Sequence, residues 1–178
     1  MIVRTLLTAA AMTIAATATL AQPAVPGCMA ISSKNAAIPT LKSDTPTPGC
    51  MLIVPAKDIA KRLDAPPARP GAAVSSPITT TGSFITMVAH RTADGMPELH
   101  VNWTDVMVIM QGDVTLTYGG TLSGNTMDAN GESHGGKIIG GTTVALHKGD
   151  YIQVPAGLPH LMTNPRGDFR YFVTKIHA

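Results

Sequence analysis

The stretch of this chain that most restricts its fold is residues 149 to 164, GDYIQVPAGLPHLMTN. Tyr151 to Val154 is a short strand-forming run, rich in aromatic and β-branched residues. Pro155 has no N–H to give to a sheet ladder and so ends the pairing. Gly157 accepts a positive φ and lets the chain turn sharply. His160 then opens the following strand, where its side chain can face the interior. Gly149, Pro155, Gly157, His160 and Asn164 together read as one device: a strand, a hard turn and an imidazole held at the mouth of a sheet. A lone histidine is usually packed or solvated, but in this turn His160 is a candidate ligand.

Strand and turn signals continue on both sides. Residues 84 to 90 form a strand ended by the Asp94-Gly95 turn. Residues 98 to 103 and 105 to 111 form two more, parted at Thr104. Gly112-Asp113 turns the chain into 114 to 118, which stops at Gly119-Gly120. The Gly-, Asn- and Ser-rich stretch up to Gly136 reads as a mobile hairpin tip. Residues 137 to 141, 142 to 146, 151 to 155 and 169 to 176 supply the remaining strands. Short strands with regular turn signals mark an all-β sandwich or barrel. The composition agrees, with 17 Gly and 14 Pro against only 13% charged residues. The net charge of +2 comes with no basic cluster, which excludes a nucleic-acid surface.

A second candidate stretch is residues 97 to 112, PELHVNWTDVMVIMQG. Alternation along a strand puts Glu98, His100 and Asn102 on one face, and Asp105 begins the neighbouring strand. With His160 the candidate metal ligands are Glu98, His100, Asp105 and His160. This N/O donor set lacks a thiolate and suits a divalent transition metal: Mn, Fe, Ni, Co or Zn. Burying two carboxylates without a cation is costly unless they are protonated or paired, which favours a metal over an empty polar cluster.

Residues 149 to 164 fit the pattern G-x5-P-x-G-x2-H-x3-N at every fixed position and resemble the second motif of the cupin superfamily. The first motif of that family reads G-x5-H-x-H, three or four residues, then E-x6-G. Asp105 and Gly112 fit its end, but only one histidine is present. In one alignment His100 takes the second histidine's place and Glu98 the first. In the other His100 is the first and Asn102 the second. The first alignment keeps the family's spacing to Asp105. The resemblance spans residues 80 to 176, with 36 residues between Gly112 and Gly149. It implies a single cupin-type antiparallel β-barrel, jelly-roll-like, with a metal in the barrel and a small-molecule ligand or substrate. It implies either a metal-dependent enzyme of oxygenase or isomerase type, or a non-catalytic binding protein whose metal site is degraded or absent. Because cupins often pair through their sheets, it also implies a homodimer.

Residues 1 to 21 carry Arg4, an uncharged run rich in Ala, Thr and Leu, and a small-x-small site ending at Ala21. This is the pattern of a secretory signal peptide cleaved after Ala21, and it implies a periplasmic or secreted protein with no membrane contact after cleavage. Residues 22 to 75 form an N-terminal arm, and residues 76 to 178 the barrel domain. Within the arm, Ile59 and Leu63 share one face of a short helix after Pro55. Cys28 and Cys50 sit in identical Pro-Gly-Cys-Met tetrapeptides and suit a disulfide in an exported protein. His90, His134, His147 and His177 belong to no motif, and His134 is expected to face solvent. Met87, Met107, Met110 and Met162 read as apolar filling.

Overall fold

Buried and partly exposed positions alternate along Val114–Tyr118, His160–Thr163 and Phe169–His177, as strands with one face on a core require. The computed structural model describes residues 29–31, 41–42, 51–66, 73–164 and 166–178. Residues 1–21, Cys28 and Cys50 lie outside the described residues. The elements run β1 (Met29–Ile31), β2 (Leu41–Lys42), β3 (Met51–Ile53), α1 (Ala56–Leu63), β4 (Val74–Thr80) and β5 (Phe84–Arg91). There follow β6 (Glu98–His100), β7 (Trp103–Gln111), β8 (Val114–Tyr118), β9 (Thr121–Ser123), β10 (Thr126–Met127) and β11 (Glu132–His134). The chain closes with β12 (Lys137–Ile139), β13 (Thr142–Leu146), β14 (Tyr151–Val154), β15 (His160–Thr163) and β16 (Phe169–His177).

Two six-stranded sheets make up the body, ordered β10-β11-β6-β15-β8-β13 and β14-β7-β16-β5-β4-β2. Their inner faces meet in one apolar cluster. One sheet contributes Val114, Leu116 and Met162, and the other Met107, Ile109, Ile152, Val154, Phe169, Tyr171 and Val173. This is the all-β, jelly-roll-like arrangement implied by the resemblance, with one refinement. No ladder joins the two sheets among the described residues, so the body is two facing sheets rather than a closed barrel. Nor is the pairing wholly antiparallel, because β2 runs parallel to β4 and β1 parallel to β3.

The helix forms where expected, with Pro55 at its N-cap. It covers the outer face of the second sheet, where Leu63 packs with Ile78 and Val88, and Ile59, Met110 and Phe172 border them. Met110 therefore belongs to this outer layer. The pairing of β1 with β3 begins at Met29 opposite Met51, the residues that directly follow the two cysteines.

Two expectations are corrected. The strand expected over 98 to 103 ends at His100, and the chain crosses from one sheet to the other through Val101 and Asn102. The stretch up to Gly136 is also no bare tip. β9 pairs with β12 and continues the β8–β13 hairpin, while β10 and β11 fold back so that β11 pairs with β6. Turn glycines alone masked these short strands, because each is only two or three residues long.

Gly112 and Gly157 both hold positive φ, at +81° and +77°, but in different surroundings. A Cβ on Gly112 would lie 2.5 Å from the Asp168 carbonyl oxygen, whereas one on Gly157 would meet nothing within 4 Å. The left-handed conformation alone costs a substituted residue about 1–2 kcal/mol. Gly157→Ala is expected to lose that amount. Gly112→Ala adds a backbone clash and should lower the thermal midpoint by clearly more, as compared by melting the two variants side by side.

Candidate metal centre

Three pairs of register partners build the site. Glu98 on β6 stands opposite His160 on β15, and His100 on β6 stands opposite Glu132 on β11. Asp105 on β7 of the other sheet stands opposite Lys175 on β16. Directly opposed side chains on one face of a sheet have Cβ atoms about 5 Å apart, so each pair meets by construction. The turn before His160 is tied to the same place, since the Gly157 N–H donates to the His100 carbonyl at 2.8 Å. The strand, the turn and the crossing between sheets thus converge on one end of the interior.

The four expected residues come together. Glu98 Oε2 lies 3.9 Å from His100 Nε2 and 3.8 Å from His160 Nε2. Asp105 Oδ2 lies 3.5 Å from His100 Nε2 and 3.9 Å from His160 Nε2. Glu98, His100 and His160 form a group whose ligand atoms all lie within 4.8 Å of one another. Donors about 2.0–2.2 Å from a shared ion stand roughly 3–4 Å apart, so this set needs little adjustment to hold one. Of the two alignments, the structure brings Glu98 to the centre. Asn102 is exposed and donates instead to the Asn130 carbonyl at 3.1 Å.

Both imidazoles are anchored through Nδ1. His100 Nδ1 meets Glu132 Oε2 at 2.5 Å, and His160 Nδ1 meets the Leu158 carbonyl at 3.1 Å. These partners are acceptors, so each Nδ1 carries the proton and each Nε2 faces the carboxylates. Histidines that bind metals are commonly held this way, with the outer nitrogen fixing the tautomer and the ring angle. His100 Nε2 is buried and has no hydrogen-bond partner among the described residues.

Sequence reasoning missed Glu132, Lys175, Arg91 and Tyr171. Lys175 Nζ lies 3.1 Å from Asp105 Oδ1. The two atoms form a close charge pair without the geometry of a directed hydrogen bond, and both are buried with no hydrogen-bond partner among the described residues. Arg91 reaches Glu98 Oε1 at 3.5 Å and donates through Nε to the Tyr171 hydroxyl at 3.1 Å. The signal for Lys175 was strand alternation. Phe169, Tyr171 and Val173 are buried, and Lys175 continues their face. Glu132 gave no such signal, because a glycine-rich context hides strand pairing.

The two histidines are driven in opposite directions. Burial works against a charged His100, but the Asp105 and Glu132 carboxylates outweigh burial and the Lys175 charge, and raise it above the ordinary histidine value. Burial dominates at His160 and lowers it, despite the Leu158 carbonyl and the nearby carboxylates. Burial also opposes ionisation of Asp105, yet His100 and Lys175 hold it below the usual carboxylate range.

These groups line a cavity of about 290 Å³, whose walls also include Met87, Met107, Met162 and Val173. His134 is exposed, as expected, but lies on the rim of this cavity.

No protein-family model matches the chain, and a search of curated proteins finds no match. Among solved structures, the chain is similar to the cupin domain of Cnp3 from Schizosaccharomyces pombe, with 15% identity and a TM-score of 0.46 over 60% of this chain and 65% of that one. It is also similar to oxalate oxidase in complex with glycolate, with 15% identity and a TM-score of 0.45 over 64% of this chain and 55% of that one. TT1209 from Thermus thermophilus gives 16% identity and a TM-score of 0.48 over 66% of this chain and 93% of that one. The chain thus spans less than two thirds of the first two proteins. These likenesses concern fold alone and say nothing of what the chain binds.

In metal-stripped protein, the His100 ring should titrate above the ordinary histidine value of about 6.5 and the His160 ring below it. Imidazole NMR over a pH series reads both. Glu132→Gln keeps an acceptor at Nδ1 but removes its charge, and should move the His100 titration downward while leaving His160 nearly in place.

Proposed function

We propose that this chain is an exported cupin-type protein that holds one divalent transition-metal ion (Mn, Fe, Ni, Co or Zn) through Glu98, His100, Asp105 and His160. The ion serves to bind or transform a small oxygenated molecule. The observation that carries this reading is the paired anchoring of the histidines. Each ring is tied by Nδ1 and turns Nε2 toward the same two carboxylates. An ion held there supplies Lewis acidity to an oxygen of the bound molecule. The protein's own groups do the rest. Glu132 fixes the His100 ring, Arg91 reaches Glu98 Oε1, and the Met107 and Met162 side chains add apolar surface to the cavity wall.

A second reading, a non-catalytic binding protein without a metal, is favoured by one observation. The Arg91–Glu98 and Lys175–Asp105 pairs already offset part of the buried negative charge. Metal analysis of the purified mature protein decides between them. On the first reading, wild type retains about one ion per chain after dialysis, and His100→Ala and His160→Ala retain none. Wild type free of metal, with both variants equally stable, would leave only the second reading.

The pH dependence has a definite sign. His100 holds a proton above the ordinary histidine range, and a metal ligand must give it up. Affinity should therefore climb by about tenfold per pH unit up to the His100 titration and level off above it. Equilibrium dialysis across pH 5.5 to about 8.5 measures this, and flat affinity would remove His100 from the ligand set.

Export is supported by residues 1 to 21 and by the two cysteines next to paired strands. A Cys28–Cys50 disulfide closes a loop of about 23 residues and is worth roughly 3 kcal/mol on a chain-entropy estimate. Intact mass of the exported protein should begin at Gln22 and take up alkylating reagent only after reduction.

A further inference from the structure

We propose that the cavity beside the metal centre is a site for a small monocarboxylate, with Arg91, Tyr171 and Lys175 receiving the anion's oxygens. This inference rests on the metal reading above. Its first support is the gathering of donors on one wall. Arg91 on β5 and Tyr171 and Lys175 on β16 come from neighbouring strands of one sheet and line the same cavity. Guanidinium and ammonium groups only donate. The Tyr171 hydroxyl already accepts from Arg91 Nε, so its own hydrogen remains to be given. Burial pushes that phenol up and keeps it protonated. Arg91 has five N–H groups, and among the described residues only those toward Tyr171 and Glu98 are engaged. The facing wall of β6 and β11 carries the acceptors Glu98 and Glu132, while Asp105, on β7 of the first wall, spends one oxygen on Lys175 and turns the other to the histidines. A ligand rich in acceptors has partners on the first wall and repulsion from the second unless a cation stands between.

The second support is charge. Among the described residues three carboxylates line the cavity (Glu98, Asp105 and Glu132) against two basic side chains, Arg91 and Lys175. With both histidines neutral, the lining carries one negative charge. A divalent ion turns this into one positive charge in a partly dehydrated space. One monoanion brings the loaded cavity to neutrality. A neutral polyol leaves the excess uncompensated, and a phosphate dianion overshoots it. The third support is size, since about 290 Å³ admits a carboxylate with a short carbon chain. Met87, Met107, Met162 and Val173 provide an apolar lining for that chain.

The test compares acetate with acetamide, which has nearly the same shape and no charge, by calorimetry on Co(II)-loaded and metal-free mature protein. Acetate should bind the loaded protein at least about tenfold more tightly than acetamide does, and more tightly than it binds the metal-free protein. Arg91→Gln and Lys175→Gln should each weaken acetate by about tenfold or more. Lys175→Gln should at the same time hold Co(II) at least as tightly as wild type, because it frees Asp105 from a competing cation. Metal content of the same samples identifies a variant that fails to fold. Equal binding of acetate and acetamide, no acetate binding by loaded protein, or acetate binding unaffected by both substitutions overturns this inference alone. A chain that takes up no metal overturns both readings at the first step.

Discussion

The site depends on the register of one three-residue strand. β6 runs only from Glu98 to His100, yet it is paired on both edges. One neighbour sets Glu132 against His100, and the other sets His160 against Glu98. A slip of one residue would turn Glu98 and His100 away from the interior and bring Leu99 inward. Short strands are weakly held by their own ladder bonds, so the register has to be fixed from outside. The Gly157 N–H bonded to the His100 carbonyl, the Val101 N–H bonded to the Gly131 carbonyl and the Gly135 N–H bonded to the Pro97 carbonyl all act on β6 or its ends. The strand is pinned at its ends rather than along its length.

Electrostatics then decide what this register can hold. Carboxylates brought this close together and largely buried repel one another and lose hydration. The fold answers with two cations from the opposite sheet, Arg91 and Lys175, and with a histidine driven toward its charged form. A metal ion competes with all three. Lys175 occupies Asp105 Oδ1 and leaves Oδ2 toward the histidines, so the same carboxylate serves two cations on two sides. This arrangement makes metal affinity adjustable by single charges that are not themselves ligands.

Much of the fold was legible in the sequence because its signals are local. Pro155, Gly157 and His160 specify a strand, a turn and a strand within a few residues, and the structure has all three. Phe84–Arg91, Val114–Tyr118 and Thr142–Leu146 could be read from composition and bounding turns. The convergence of Glu98, His100, Asp105 and His160 was legible from strand alternation and from the resemblance. What was not legible depends on pairing across distance. β11 has three residues in a glycine-rich stretch, and nothing in Glu132-Ser133-His134 announces that it lies against β6. Alternation along β16 marks Lys175 as inward-facing but names no partner for it. Only the register of β16 against β7 shows that it meets Asp105.

The pairing of residues far apart along the chain also bears on when the centre comes into being. His100 meets Glu132, His160 lies opposite Glu98, and Asp105 meets Lys175 near the end of the chain. Each contact closes a long stretch of polypeptide, and contacts of that kind form late in folding. Until those contacts close the donors stand apart, so the site forms together with the fold rather than ahead of it. Whichever compartment the chain folds in is the one whose ions it first meets.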